Sequence, residues 1–444
     1  MNIMSKQKSV YQCQNCGQSF PAWSGQCSAC GQWNTLVETP VSPQPRSARS
    51  SSPLSPINLS EVDIGGSSRV STGIDELDRV LGGGLVAGQV VLLAGEPGVG
   101  KSTLLIKAAQ SFGQLSQKPC LYVSGEESPT QVKNRAQRLG LKGDWVQILS
   151  ENEADQILPL IKNDYCMVVV DSVQTLVTSD LSGVAGSIGQ VKECSFRLSQ
   201  QAKRVGVPLL LIGQITKEGT IAGPKTLEHL VDTVLTLEGD RFQTFRLLKS
   251  SKNRFGDDRE VGVFEMLETG LEPVANPSDR FLSQRQANVS GSVVAVLMEG
   301  SRPMLLEIQA LTAKTFFGYP RRASSGFPAN RLLLLLAVLE KHTSLSFGQY
   351  DVYINIASGV RVSEPACDLA VCLALASSLT GKALGPKAAA FGEVGLSGEI
   401  RRVSQMDRRR QEAERMGYTQ VISPEKFSRL PAVFSSLGLS NIGS

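Results

Sequence analysis

Val90-Val91-Leu92-Leu93-Ala94-Gly95-Glu96-Pro97-Gly98-Val99-Gly100-Lys101-Ser102-Thr103 is a short apolar run breaking into a glycine-rich turn. From Gly95 to Ser102 it matches G-x-x-x-x-G-K-[ST], and the pattern after it predicts a helix over 103–115. In such a loop the glycines let backbone N–H groups converge on phosphate oxygens, Lys101 offers a cation to the β- and γ-phosphates, and the Ser102 hydroxyl ligates Mg²⁺. The expected cradle for ATP with Mg²⁺ is therefore Gly95, Glu96, Pro97, Gly98, Val99, Gly100, Lys101, Ser102 and Thr103. A turn that merely starts a helix would not need strand, glycines, Lys and hydroxyl in this register.

On either side of the loop the chain alternates apolar runs with helical stretches. Cys120-Leu121-Tyr122-Val123, Met167-Val168-Val169-Val170 and Leu209-Leu210-Leu211-Ile212 read as buried strands, with helices near 128–139 and 188–204. That alternation predicts a parallel sheet covered by helices on both faces, and ligands of such sheets gather at the carboxyl ends of the strands. Met167–Val170 ends in Asp171, the candidate second Mg²⁺ anchor; an ordinary acidic residue at a strand exit is the alternative. Leu121–Val123 leads to Glu126 and Glu127. Glu126 is the candidate general base and Glu127 its rival, while both would also suit the start of a helix. Leu209–Ile212 delivers Gln214 to the same edge, where a neutral amide can sense a γ-phosphate.

The order of parts resembles the RecA-like ATPase core: phosphate loop, Glu after the next strand, Asp after the third, Gln after the fourth. Residues 249–256 carry Lys252-Asn253-Arg254-Phe255-Gly256, a box that marks one bacterial branch of that superfamily. With the N-terminal cysteines and the C-terminal region, nearly the whole chain resembles the bacterial RadA (Sms) family of DNA repair proteins. The resemblance implies a homo-hexameric, ATP- and Mg²⁺-dependent motor on single-stranded DNA that promotes branch migration of recombination intermediates. It implies that Lys252 and Arg254 lie near a subunit boundary, completing a neighbour's ATP site or coupling it to DNA; a solvated basic patch is the plain alternative. Partners would be single strands, branched intermediates, and a recombinase or replicative helicase. In a ring, the loops Thr178–Gly189 and Lys217–Lys225 would face the channel, with Lys217 and Lys225 as DNA contacts.

Cys13-x₂-Cys16 and Cys27-x₂-Cys30 form two thiolate pairs of chelate spacing, each followed by glycine. Four sulfurs make a closed tetrahedral site suited to structural Zn²⁺. Disulfides and a redox pair are the competing readings, opposed by a reducing compartment and by the doubled spacing. A module this small folds on metal affinity, with Trp23, Trp33, Phe20 and Tyr11 either as its core, the expectation, or as exposed aromatic faces. The remaining five cysteines, Cys120, Cys166, Cys194, Cys367 and Cys372, read as scattered small buried hydrophobes, with oxidised pairs not expected in a reducing cytosol.

The expected organisation is a zinc module at 10–36, a Pro/Ser-rich linker at 37–58, a RecA-like domain at 59–274 and an α/β domain at 285–444, without repeats at a fixed period. In the last, strands are expected near 292–298, 304–311 and 351–357, with helices near 329–342, 365–379 and 404–417. That region resembles the proteolytic domain of the Lon family through Asp351–Ile356 and Gly392–Ile400. The nucleophile position falls at Ala366, and Asp407 stands where the lysine base should be. Without hydroxyl and amine the Lon mechanism has no nucleophile, so the domain is expected to be proteolytically inactive and to serve assembly, although Ser363 and Cys367 stand nearby. An ATP-dependent peptidase and a non-motor ATP switch acting on recombination partners are the alternatives.

Across 444 residues, 45 Lys+Arg against 41 Asp+Glu leave +4, too little to argue for any partner by itself. The basic groups Arg321-Arg322, Arg401-Arg402 and Arg408-Arg409-Arg410 read as solvated or as phosphate contacts. No apolar run reaches the roughly 20 residues that cross a bilayer, and a cytoplasmic location is expected.

Overall fold

The computed structural model describes residues 9–40, 58, 60, 69–214, 224–239, 244–316, 318–357 and 360–440. The chain forms two compact units: Met1–Glu238, Leu248–Asp258 and Glu268–Leu271 make the first, and Gly239–Leu247, Arg259–Leu267 and Glu272–Ser444 the second.

The N-terminal cysteines lie in a three-stranded antiparallel sheet, β1 (Ser9–Cys13), β2 (Ser19–Phe20) and β3 (Leu36–Pro40), in the order β2-β1-β3. Two turns of the same design carry the sulfurs: Gln12-Cys13-x₂-Cys16-Gly17-Gln18 and Gln26-Cys27-x₂-Cys30-Gly31-Gln32. In each, the glycine takes a positive φ, +76° at Gly17 and +73° at Gly31, a conformation that costs a residue with a Cβ. Each glycine amide donates to the first cysteine's carbonyl at 2.8 Å. Each preceding glutamine amide closes the loop onto the glycine carbonyl, at 3.1 Å from Gln12 and 2.8 Å from Gln26. The two turns are thus a local repeat within the module. Cys13, Cys27 and Leu36 form the interior, with Tyr11 and Phe20 packed on it. Trp23 and Trp33 are 58% and 68% exposed, so the expectation of an indole core is wrong: the sulfurs fill the interior and leave no room for the rings.

The next elements are α1 (Asp75–Leu81), β4 (Val90–Gly95), α2 (Lys101–Ser116), β5 (Cys120–Ser124), α3 (Pro129–Arg138), β6 (Val146–Ser150), α4 (Ala154–Ile157), β7 (Met167–Asp171), α5 (Ile188–Val205), β8 (Leu209–Gln214), α6 (Pro224–Leu227) and β9 (Thr233–Glu238). Then follow β10 (Phe245–Asn253), β11 (Val261–Leu267) and β12 (Gly270–Pro273), and the sheet order is β12-β11-β10-β9-β4-β8-β7-β5-β6. The six strands from β9 to β6 are parallel. β4 is buried along its whole length, as a central strand covered on both faces must be. α2 turns Leu104, Leu105, Ala108, Ala109 and Phe112 inward, and α5 buries Val191, Cys194, Leu198 and Ala202 at helical spacing. α3 starts with a reciprocal cap between Ser128 and Gln131 and with Pro129 in its first turn.

β6, β9, β10, β11 and β12 escape the sequence reading. β6 is a half-exposed edge strand, and it falls between β5 and β7, so Asp171 ends the fourth strand in chain order and Gln214 the fifth, not the third and fourth. Register sets the carboxyl ends level: Gly95 pairs with Gln214, and Ser124 with Asp171.

The second unit holds a six-stranded sheet of β13 (Ser292–Glu299), β14 (Arg302–Lys314), β15 (Arg322–Ser325), β16 (Tyr350–Ile356), β17 (Ala388–Ala390) and a strand at Gln420–Ile422, in the order β15-β16-β14-β13-β17 and then that strand. Alternation in β13 feeds two cores, Val293, Ala295 and Leu297 on one face and Val294 and Val296 on the other. The helix Asp368–Thr380 is buried on nearly all sides, which is why its sequence carries almost no polar stripe.

Candidate active site

Phosphate-loop geometry follows from its glycines. Gly98 and Gly100 adopt φ of +80° and +117°, and Gly100 is the N-cap immediately before α2. A Cβ on Gly95 would stand 2.7 Å from the Leu237 carbonyl oxygen and 3.1 Å from Val99, so only glycine fits between β4 and β9 there. Lys101 folds back over the loop, and its Nζ donates to the carbonyls of Gly95 and Glu96, both at 2.9 Å. Burial pushes the Lys101 pKa down, while the charges of Asp171 and Glu126 pull it back up. The cation, the Mg²⁺-anchor candidate and the base candidate are therefore electrostatic neighbours.

Asp171 is held by Tyr122, whose hydroxyl donates to Oδ2 at 2.6 Å. Burial, and then the Asp171 charge, push the Tyr122 pKa well up, so this phenol stays a donor. Arg135 of α3 stands 3.9 Å from the same oxygen and pairs with Glu127. Glu126 lies in a different network: its Oε1 accepts from Ser172 Oγ at 2.7 Å and from Gln214 Nε2 at 3.3 Å. The two consecutive glutamates are thereby separated by environment. Glu127 is committed to an arginine, whereas Glu126 meets the neutral amide that sequence reading assigned to γ-phosphate sensing. Tyr122, Ser172 and Arg135 were missed; a tyrosine inside an apolar strand four residues before Glu126 was the available signal.

Lys252 and Arg254 do not reach this cradle within the chain. Lys252 Nζ donates to the carbonyls of Glu228 at 2.6 Å and Val231 at 2.9 Å. Arg254 is 3.3 Å from Asp232 with 56% of its side chain exposed. Asp232, buried and also missed, accepts from Lys203 at 2.7 Å and from the Val90 amide at 3.0 Å, tying the box to the foot of β4. Asn253 Nδ2 donates to the carbonyls of Val80 and Leu81 at the end of α1. Lys225 is exposed on α6, and Lys217 lies outside the described residues. The segment from Thr178 is not loose: the buried Gln190 amide accepts from the Thr178 amide at 2.8 Å and donates to the Leu181 carbonyl at 2.7 Å.

The four cysteine sulfurs lie within 4.8 Å of one another, with Cys13–Cys30 at 3.7 Å and Cys16–Cys27 at 3.6 Å. Sulfurs bound about 2.3 Å from one tetrahedral ion stand roughly 3.8 Å apart, so the donor set fits Zn²⁺.

In the second unit Ala366 is buried and Asp407 is paired with Arg410. Burial, then the charges of Asp368 and Glu364, push the Cys367 thiol up, the wrong direction for a nucleophile. The reading of Arg408–Arg410 as one surface cluster is corrected at its centre. Arg409 is fully buried, paired with Glu364 and donating to the Val296 carbonyl at 2.9 Å, because it faces the core side of its helix, Met406–Arg415. Arg401 is paired with Glu399, and Arg322 donates to the Phe347 carbonyl.

Fold and site together define a RecA-like P-loop ATPase with a zinc ribbon: residues 70–153 match the family model described as "ATPase: KaiC", and residues 11–38 match the rubredoxin metal binding domain. ATP with Mg²⁺ and Zn²⁺ are its cofactors. The chain is 46% identical over 429 residues to the DNA repair protein RadA of Bacillus subtilis, covering 95% of this chain and 93% of that one. It is 43% identical to RadA of Halalkalibacterium halodurans, covering 99% and 98%, and 46% identical to RadA of Aquifex aeolicus, covering 95% and 94%. The chain belongs to the RadA family of DNA repair proteins. Among solved structures, a KaiC-like protein of Pyrococcus horikoshii OT3 is 21% identical with a TM-score of 0.40, covering 47% of this chain and 99% of that one. No helix among the described residues is long and apolar enough to cross a membrane.

Proposed function

We propose that the protein is a DNA-dependent ATPase that moves on single strands and promotes branch migration of recombination intermediates, working in the cytoplasm as a homo-hexamer. One observation carries the reading: Glu126 accepts from both Ser172 and Gln214 at the sheet edge that holds Lys101 and Asp171. Such a network lets occupancy of the γ-phosphate position reach the segment after β8, which runs from residue 215 toward Lys225. In this reading Gly95–Thr103 and Asp171 hold Mg·ATP, Glu126 orients and deprotonates water, and Gln214 reports the γ-phosphate. Lys217 and Lys225 follow the DNA backbone, while Lys252 and Arg254 act across a subunit boundary; Arg254 keeps half its surface free for that role.

The RecA-like domain at 59–274 is the motor and the zinc module at 10–36, on its linker at 37–58, engages a recombinase or helicase partner. The Lon-like domain at 285–444 serves assembly, with methyl and carboxylate in place of a Ser–Lys pair. Phosphate release measured with single-stranded, duplex and no DNA tests the motor. Single strands are expected to raise turnover severalfold above the other two conditions, and unchanged turnover would remove DNA dependence. Loss of branch migration in Lys101→Ala separates the motor from a passive ATP switch.

A further inference from the structure

Cys120 opens β5 and Cys166 immediately precedes β7, whose Met167 pairs with Cys120. Neighbouring parallel strands one residue out of register place Cα atoms roughly 6 Å apart, inside the range that a disulfide spans. The side chains converge: the two Sγ atoms stand 3.2 Å apart. Their environments differ. Cys120 is completely buried and its sulfur donates to the Ala109 carbonyl of α2 at 3.1 Å, whereas Cys166 is only half-buried.

We propose that Cys166 and Cys120 form a peroxide-reactive dithiol, Cys166 attacking and Cys120 resolving, that closes to a reversible intrachain disulfide. The Cys166 sulfur attacks one oxygen of a hydroperoxide, the O–O bond breaks, and the departing alkoxide takes the thiol proton as an alcohol. Cys120 sulfur then attacks the Cys166 sulfenic sulfur; the S–O bond breaks and water leaves with the Cys120 proton. Two thiols and one hydroperoxide thus yield one disulfide, one alcohol and one water. The division of labour follows the surroundings: the Cys120 partner above all, then the backbone at Cys166, the Ser116 hydroxyl and last the Lys118 charge hold the Cys166 thiol below its usual range against its burial, while Cys120 is pushed up, first by Cys166 and then by burial. None of this chemistry is used at the nucleotide cradle, which follows the carboxyl end of β4, whereas the cysteine pair lies at the amino ends of β5 and β7 in the same sheet.

The test treats the zinc-loaded full chain with hydrogen peroxide, blocks remaining thiols by alkylation and maps peptides without reduction. A Cys120–Cys166 cross-linked peptide is expected, forming at least about tenfold faster than any oxidation of the buried single thiols Cys194, Cys367 and Cys372, and disappearing on reduction. In Cys120→Ser, Cys166 is expected to stop as a sulfenic acid that a 1,3-diketone traps; in Cys166→Ser, Cys120 should stay unoxidised. The proposal fails if Cys166 reacts no faster than Cys194, if it runs on to sulfinic acid without a link to Cys120, or if Cys120 oxidises equally well in Cys166→Ser.

Discussion

Glu126→Gln tests the site most sharply. The amide oxygen still accepts from Ser172, at the 2.7 Å position of the carboxylate, and still meets Gln214, so nucleotide binding and fold should persist. What disappears is a proton acceptor. General-base catalysis contributes about 10²- to 10⁴-fold, which is about 3–5 kcal/mol of barrier. Turnover should therefore fall by at least about two decades, while the affinity for a fluorescent ATP analogue with Mg²⁺ changes by less than about threefold. Glu127→Gln has a different expected signature. Its carboxylate is paired to Arg135 with side chains 33% and 17% exposed, so its loss lowers stability by about 1 kcal/mol and leaves Arg135 nearer to Asp171. Turnover in that variant should stay within about tenfold of wild type. Steady-state phosphate release with saturating Mg·ATP and single-stranded DNA distinguishes the two. If Glu127→Gln abolishes turnover while Glu126→Gln keeps about a tenth or more, the assignment from hydrogen-bond partners is wrong.

Lys101→Ala should reduce phosphate release to background without lowering the melting temperature, since this ammonium is buried at an electrostatic cost; measurable wild-type turnover would contradict it. Cys13→Ser should release one Zn²⁺ per chain, seen with a chromophoric chelator, and collapse the amide dispersion of residues 9–40 in NMR spectra while ATPase activity without DNA persists. Asp155 gives a pH test. Burial raises its pKa, but the Thr178 hydroxyl, the Ser179 amide and Arg197 outweigh this and leave the value lowered. A lowered carboxylate contributes fully above its unfolded pKa of about 3.9 and loses that contribution as pH falls through the folded value. The melting-temperature gap between wild type and Asp155→Asn should accordingly be constant above about pH 5 and shrink below about pH 4.

How much could be read without coordinates depended on whether a residue's role was local. The positions of Gly95–Thr103 and of the four cysteines are legible because spacing sets their local geometry, and that of Asp171 because it ends an apolar run; the helices at 188–204 and 329–342 follow from periodicity and nearly coincide with Ile188–Val205 and Ala329–His342. β6 was hidden because an edge strand with little burial lacks an apolar run. The indoles misled because apolar character does not reveal that Cys13, Cys27 and Leu36 already fill the interior of so small a module. Asp232 and Arg409 look like ordinary surface charges in sequence, and their burial depends on partners that chain order keeps distant: Val90 for Asp232, Val296 and Glu364 for Arg409. The separation of Glu126 from Glu127 likewise required seeing which of two adjacent carboxylates met Arg135.

Trp23 and Trp33 together flank Gly25, 4.0 Å and 3.6 Å from where its Cβ would stand, and both rings face outward. Only Trp145 supplies a third indole. Two of the three indoles of this chain therefore lie in its N-terminal ribbon, and a Trp145→Phe version excited at the red edge, where tyrosine does not absorb, would carry emitting indoles nowhere else. Iodide quenching and anisotropy on that version would report the exposure and motion of the ribbon without attaching any dye.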